Sequence, residues 1–189
     1  MNTTRLREFV QAFTRLADTA GQDEERIFND GGALLAALVA HDDWLPAQFA
    51  QPHPERYQQY LLHCDPFERF SVVSFVWGPG QSTPLHDHTV WGMVGVLRGA
   101  ERCEEFARDA AGRLHPAGVH ELPPGAMDLV SPRVGDIHRV SNACSGEVSV
   151  SIHVYGANIG AVERHVFDPE TGAARPFVSG YVNSAAPTL

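Results

Sequence analysis

The sequence holds only three cysteines, Cys64, Cys103 and Cys144, among 189 residues. Their number is odd and no CxxC spacing occurs, which argues against both a disulfide framework and a sulfur-ligated zinc site. Positive charge is also scarce, with 14 Lys and Arg against 23 Asp and Glu and a formal net charge of -9. Such a chain repels phosphate backbones and anionic lipid, and no Lys/Arg cluster reverses the field locally, so no nucleic-acid and no membrane partner is expected. Long hydrophobic runs are missing too. The longest aliphatic stretch, residues 33–40, is far too short to span a bilayer, and the N-terminus shows no signal-peptide pattern, so a cytoplasmic protein is expected. A hydrophobic content of 43% does suffice to close one core without staples, which excludes disorder of the whole chain. The unusual abundance is of histidine, with ten residues.

Composition divides the chain near residue 65 into a helical start and a strand-rich remainder. Leu6, Phe9, Val10, Phe13, Leu16 and Ala17 fall at helical spacing, with Thr3 or Thr4 available as N-cap. A second helix is expected over 32–41 and a third over 54–62. Beyond residue 66, short β-branched and aromatic runs at 70–77, 91–97, 101–107, 118–122, 127–130, 137–142, 148–155 and 164–167 alternate with Gly- and Pro-rich punctuation. The expectation is a mostly β jelly roll or small barrel forming a single domain. Residues 1–65 would make a helical N-terminal cap, 66–170 the barrel and 171–189 a C-terminal tail, loosely ordered from 179 onward.

His86 and His88 lie two residues apart where a loop enters a strand, so alternation points both at one face and Asp87 at the other. His138 stands at a second turn-to-strand entry and can converge with them on a closed sheet. In the segment 148–156 the period is two: Ser151, His153 and Tyr155 share one face, and Val150, Ile152 and Val154 the other. Ser, His and Tyr at this spacing can form a hydrogen-bonded relay that ends in a phenol.

Gly80, His86, Asp87, His88 and Gly99 resemble the first metal-binding motif of the cupins, and Gly125, Pro132, Gly135, His138 and Asn142 approximate the second. One departure is informative. Cupins usually place a Glu ligand four or five positions after the second His, where this sequence has Gly92 and Met93. Three neutral imidazoles leave a divalent ion at its full charge, and a substrate thiolate would supply the missing anion. Zinc suits the ligands but not redox chemistry.

Taken together, His86, His88, His138 and the Ser151-His153-Tyr155 strand resemble the cysteine dioxygenase family of thiol dioxygenases over roughly residues 57–167. The resemblance implies a mononuclear Fe(II) held by His86, His88 and His138. It also implies a relay in which Ser151 and His153 orient Tyr155 towards bound oxygen or the substrate carboxylate. The implied reaction oxidises a small thiol with O2 to its sulfinate. Gln59 stands where mammalian members place a carboxylate-binding Arg. Bacterial members with Gln there resemble 3-mercaptopropionate dioxygenases, so 3-mercaptopropionate is the favoured substrate and cysteine the second. Gln59, Arg164 and Tyr155 are then expected to hold the substrate. Trp91-Gly92-Met93 stands where mammalian enzymes carry the Cys that crosslinks to the relay tyrosine, so Tyr155 is expected uncrosslinked and Cys103 a packing residue. Two competitors are a zinc or manganese cupin hydrolase or isomerase, and a cupin sensor that binds without turnover. The sequence sets no oligomeric state and no role for His63, Trp77 or Trp91; His41, His53, His115, His120 and His165 show no partner pattern.

Overall fold

The computed structural model describes residues 3–189. Helix α1 (Thr4–Ala20) buries Leu6, Phe9, Val10, Phe13 and Leu16, the stripe expected from their spacing, although Thr3 at the N-cap makes no side-chain capping bond. A short helix α2 (Glu24–Arg26) begins where the Asp23 carboxylate accepts the Arg26 N–H. It continues through a π-helical turn, Ile27–Gly31, into α3 (Gly32–Val39). Gly31 is required there, since a Cβ would come within 2.8 Å of the Phe13 ring. No helix among the described residues is long and apolar enough to cross a membrane.

The helix expected over 54–62 does not form. The chain instead makes a 3-10 turn at Ala47–Phe49 and then a strand, β1 (Gln58–Cys64). Pairing with β2 (Ser71–Trp77), which is buried along its whole length, overrides the weak local propensity of this polar segment. The sheet therefore starts ahead of residue 66. The remaining strands are β3 (Leu85–His86), β4 (Gly92–Arg98), β5 (Glu101–Arg108), β6 (Leu114–Leu122), β7 (Met127–Val130), β8 (Ile137–Asn142), β9 (Ser149–Tyr155), β10 (Arg164–Phe167) and β11 (Ala174–Phe177). They form a five-stranded sheet of order β1-β2-β9-β4-β7 and a six-stranded sheet of order β11-β10-β3-β8-β5-β6. The fold is a cupin-type jelly roll with N-terminal helices.

Period-two alternation on the central strands builds two cores. Val72, Val76, Val150, Ile152 and Val154 face outward and pack with Leu6, Phe13 and Leu35 of the helices. Val73, Phe75, Trp77 and Tyr155 face inward with Val96, Cys103 and Val140. Each fully buried aliphatic side chain contributes about 1.5–3 kcal/mol, so the helices cover a face that could not be left in water.

The segment from residue 179 onward is tied down rather than loose. Asn183 accepts the Leu61 N–H and donates to the Leu61 carbonyl. The Tyr181 hydroxyl donates to Asn158 and accepts the Gly160 N–H. These contacts strap the C-terminal segment across β1.

Candidate metal centre and relay

His86 on β3 pairs directly with His138 on β8 across one antiparallel bridge, so both side chains leave the same face of the sheet. His88 follows two residues after His86. The three rings are buried, with centroids 4.8, 4.8 and 4.9 Å apart. One ring nitrogen from each lies within 4.8 Å of the other two, a span that fits one ion.

The rings' other nitrogens decide which atoms face the centre. His86 Nδ1 lies 3.1 Å from the Pro84 carbonyl, and His88 Nδ1 lies 2.9 Å from the Asp136 carboxylate. Both partners accept, so both Nδ1 atoms carry a hydrogen and both Nε2 atoms face the centre. His138 Nδ1 meets Cys103 Sγ at 3.5 Å, which likewise leaves Nε2 inward. Burial, and then the charge of the neighbouring imidazoles, holds His86 and His138 well below the usual histidine range, so their lone pairs are available at neutral pH.

Asp136 is the support that sequence reasoning missed. Besides the His88 ring, its oxygens accept the backbone N–H groups of His88 and Thr89, each at 2.9 Å. Thr89 has a positive φ of 61°, a conformation that costs a β-branched residue energy and that these bonds hold in place. Its position two residues before His138, at a strand entry, was the available signal. Asp87 points away, as its alternation requires, and accepts both the backbone N–H and the ring of His165. His165 is therefore structural, with Asp87 as a partner that no sequence pattern marks. His120 likewise has partners, in Asp128 and Glu105.

The relay forms as a continuous chain. Tyr155 Oη lies 2.8 Å from His153 Nδ1, and His153 Nε2 lies 2.8 Å from Ser151 Oγ. Tyr155 stacks on His88 at 5.3 Å, which joins the relay to the imidazole cluster. Burial raises the Tyr155 phenol far above its ordinary range, leaving it neutral, and lowers His153, which stays neutral too. Trp77 belongs to this chain, since its indole donates to Ser151 Oγ at 3.4 Å. Trp91 instead packs beside Phe13 under the helices. His63 stands against Phe70 on β1 with Nε2 unpartnered.

Gly92 lies opposite Tyr155 in the β4–β9 ladder, and a Cβ there would sit 2.7 Å from the tyrosine ring. There is no sulfur at that point, and Cys103 faces His138 instead. We expect Gly92→Ala to lower unfolding free energy by about 1–3 kcal/mol through overpacking. Chemical denaturation that gives an unchanged midpoint would show that the ring yields freely.

Arg164 is buried, yet its guanidinium has no carboxylate partner among the described residues. Nη2 donates to Ser179 Oγ at 2.7 Å, the group lies over the Phe177 ring at 4.6 Å, and Nε has no partner. Gln59 does not reach out as a free amide: its Nε2 donates to the same Ser179 Oγ at 3.1 Å and to the Gly180 carbonyl at 3.0 Å. Ser179 thus links Gln59 to Arg164, a connection that an expectation of a loose tail could not contain.

A jelly roll whose interior carries three converging imidazoles defines a cupin with a three-histidine cluster in place of the usual set with a carboxylate. Within that class the chain belongs to the cysteine dioxygenase type I family, whose model matches residues 6–168. A curated relative, cysteine dioxygenase type 1 of Danio rerio, is 27% identical over 134 residues, which are 69% of this chain and 64% of that protein. The match therefore spans less than two thirds of the relative's length. Among solved structures, a Klebsiella pneumoniae protein with a double-stranded β-helix domain aligns at 16% identity and a TM-score of 0.48 over 63% of this chain and 88% of its own. A cupin 2 conserved barrel domain protein from Rhodopseudomonas palustris aligns at 17% and 0.46 over 64% and 75%.

Proposed function

We propose that the protein oxidises a small thiol carboxylate to its sulfinate with O2 at a mononuclear iron(II) held by Nε2 of His86, His88 and His138. The observation that carries this reading is the convergence of three imidazole rings beside a neutral phenol, with a buried guanidinium that lacks a carboxylate partner nearby. Family membership supports the reaction type. The donor set fits: all-imidazole ligation suits iron(II) and leaves the ion short of negative charge, which a thiolate meets. When bound, the metal supplies the electron transfer with O2 that organic side chains lack and favours the thiolate form of the substrate. Both oxygen atoms end on sulfur, which loses the electrons that O2 gains.

The chain's own residues bind and orient. Arg164 takes the substrate carboxylate through its free Nε and remaining N–H groups, replacing the anion it lacks. Gln59 acts through Ser179, fixing the oxygen that holds Arg164 Nη2. Tyr155 places a phenolic hydroxyl over the cluster, oriented by His153 and Ser151. The aromatic wall of Tyr57, Phe75 and Trp77, stacked at 4.9–6.0 Å, keeps water from the relay.

For the substrate we propose 3-mercaptopropionate ahead of cysteine. Cysteine would bring an ammonium group close to Arg164, while Asp87, the carboxylate that Arg164 feels, is engaged with the backbone and ring of His165. A buried cation without a partner is costly. We expect kcat/KM for 3-mercaptopropionate to exceed that for cysteine by about 10-fold or more, a difference of about 1.4 kcal/mol. An oxygen electrode with both thiols and cysteamine checks this. The reverse order would favour cysteine, the substrate in the zebrafish relative's name. Stoichiometric zinc with no O2 uptake on any thiol would sink the dioxygenase reading.

The same reading treats the chain as one cupin unit, since the helices and the first sheet share a continuous core. It places the protein in the cytoplasm, in keeping with three unpaired cysteines.

A further inference from the structure

The three imidazoles differ in what holds them from behind. His86 has the Pro84 carbonyl and His88 the Asp136 carboxylate, both oxygen acceptors, but His138 has the sulfur of Cys103, 3.5 Å from Nδ1. Strand register makes that contact. β8 lies between β3 and β5, so His138 stands opposite His86 on one neighbour and opposite Glu105 on the other. Cys103 pairs with Val140, two residues along from the Glu105–His138 pair, so alternation puts its side chain on the same face as the His138 ring. Diagonal neighbours of this kind are within reach of a ring. The pair between them, Glu104 and Arg139, points to the other face and forms an ion pair at 2.7 Å. Cys103 is 1% exposed and His138 4%.

Packing alone does not pin the ring on this side. A cavity of about 190 Å³ borders both Cys103 and His138, and its walls include Asp128 and Val130 of β7. A ring beside such a space keeps its angle through a directed contact, and the sulfur provides one. Hydrogen accounting gives the sense of that contact. A thiol is both a weak donor and a weak acceptor, unlike the oxygens behind His86 and His88. If the thiol donates to Nδ1, the hydrogen of the neutral ring is on Nε2, and the lone pair needed by an ion is lost. If Nδ1–H donates to Sγ, Nε2 is bare and faces the other two rings. An Asp128 carboxylate oxygen lies within 4.8 Å of Sγ and of a His138 ring nitrogen. A carboxylate attracts the thiol hydrogen and draws it away from Nδ1, which favours the second arrangement. Asp128 is itself held, by the Leu129 N–H at 2.9 Å and by His120 Nε2 at 3.2 Å.

We propose that Cys103 is a positioning residue for the metal centre: its sulfur accepts the Nδ1 hydrogen of His138, which fixes the ring's tautomer and angle and leaves Nε2 to the ion. The proposal rests on the three-histidine centre proposed above and not on thiol oxidation.

The test is zinc affinity, measured by competition with a chromophoric chelator, in wild type, Cys103→Val and Cys103→Ala. Valine fills the space but offers no acceptor, whereas alanine gives up both. A packing role predicts wild-type affinity in Cys103→Val. The positioning role predicts that both variants bind zinc about 10-fold more weakly, the low end of the range for groups that support a metal ligand, because sulfur is a weak acceptor. Nitrogen-15 NMR of the zinc-loaded protein adds a readout that packing would not move. His138 should bind zinc through Nε2 with its hydrogen on Nδ1, and the Nδ1 proton resonance should move upfield in both variants as the bond to sulfur is lost. Coordination through Nδ1, or a Cys103→Val protein with wild-type zinc affinity, would overturn the proposal. Failure of both variants to fold without zinc would assign Cys103 to packing and overturn it as well. Because zinc binding needs no turnover, absence of thiol oxidation by the iron-loaded protein would sink the proposed reaction and leave this result standing; a wild-type protein that binds no zinc at these histidines would sink the centre and the role of Cys103 together.

Discussion

His138→Ala is expected to purify without iron after growth and reconstitution in ferrous salt, and to lose thiol-dependent O2 uptake by more than about 100-fold. That bound is set by comparison, since removing a group that only supports a metal ligand costs about 10–100-fold. His138 contributes one of three Nε2 atoms, and Asp136, the carboxylate behind the cluster, is committed to His88 and Thr89. Metal analysis beside the oxygen electrode decides the matter. Wild-type iron content with wild-type rate would mean that the ligand set is wrong. Asp136→Asn supplies the graded companion, because it leaves all three imidazoles in place and removes only the charge behind His88. Its iron affinity should fall within the range given for supporting groups, between wild type and His138→Ala.

Arg164→Met should raise KM for a thiol carboxylate by at least about 100-fold, as loss of a charge-assisted, two-point contact at about 1.5–3 kcal/mol per bond implies. Cysteamine, which has no carboxylate, should show no such loss. Arg164→Lys should recover only part of it, since a point charge cannot repeat the planar fork. Folding provides the control: the guanidinium is buried without a carboxylate, so methionine should leave the melting temperature unchanged or higher. Equal losses on all thiols together with a fall in melting temperature would assign Arg164 to structure and not to recognition.

The parts of this site that could be read in advance are those fixed by local spacing. His86 and His88 declare a shared face because a strand alternates, and Ser151, His153 and Tyr155 do so for the same reason. The jelly roll follows from many short strands with Gly and Pro between them. What could not be read depends on contacts between distant residues. The segment at 58–64 carries a weak pattern, and only the buried partner strand makes it β1. Ser179 reaches Gln59 across 120 positions, and Ser149 reaches Glu101 across 48, with nothing in either segment to mark the meeting. Glu101 follows a Gly and an Ala in what looks like an ordinary hairpin strand; its burial appears only once the sheets close over it.

The strap described over β1 also orders the site in time. During synthesis the chain emerges from its N-terminus, so all three imidazoles are available once β8 has left the ribosome, while Arg164 and the serine that holds it come later. A nascent chain halted between residues 138 and 179 would carry every proposed metal ligand and lack the finished anion pocket. On the proposed reading, the anion pocket is completed after the metal ligands have been made, and it waits for residues 179–183 to fold back over the first sheet.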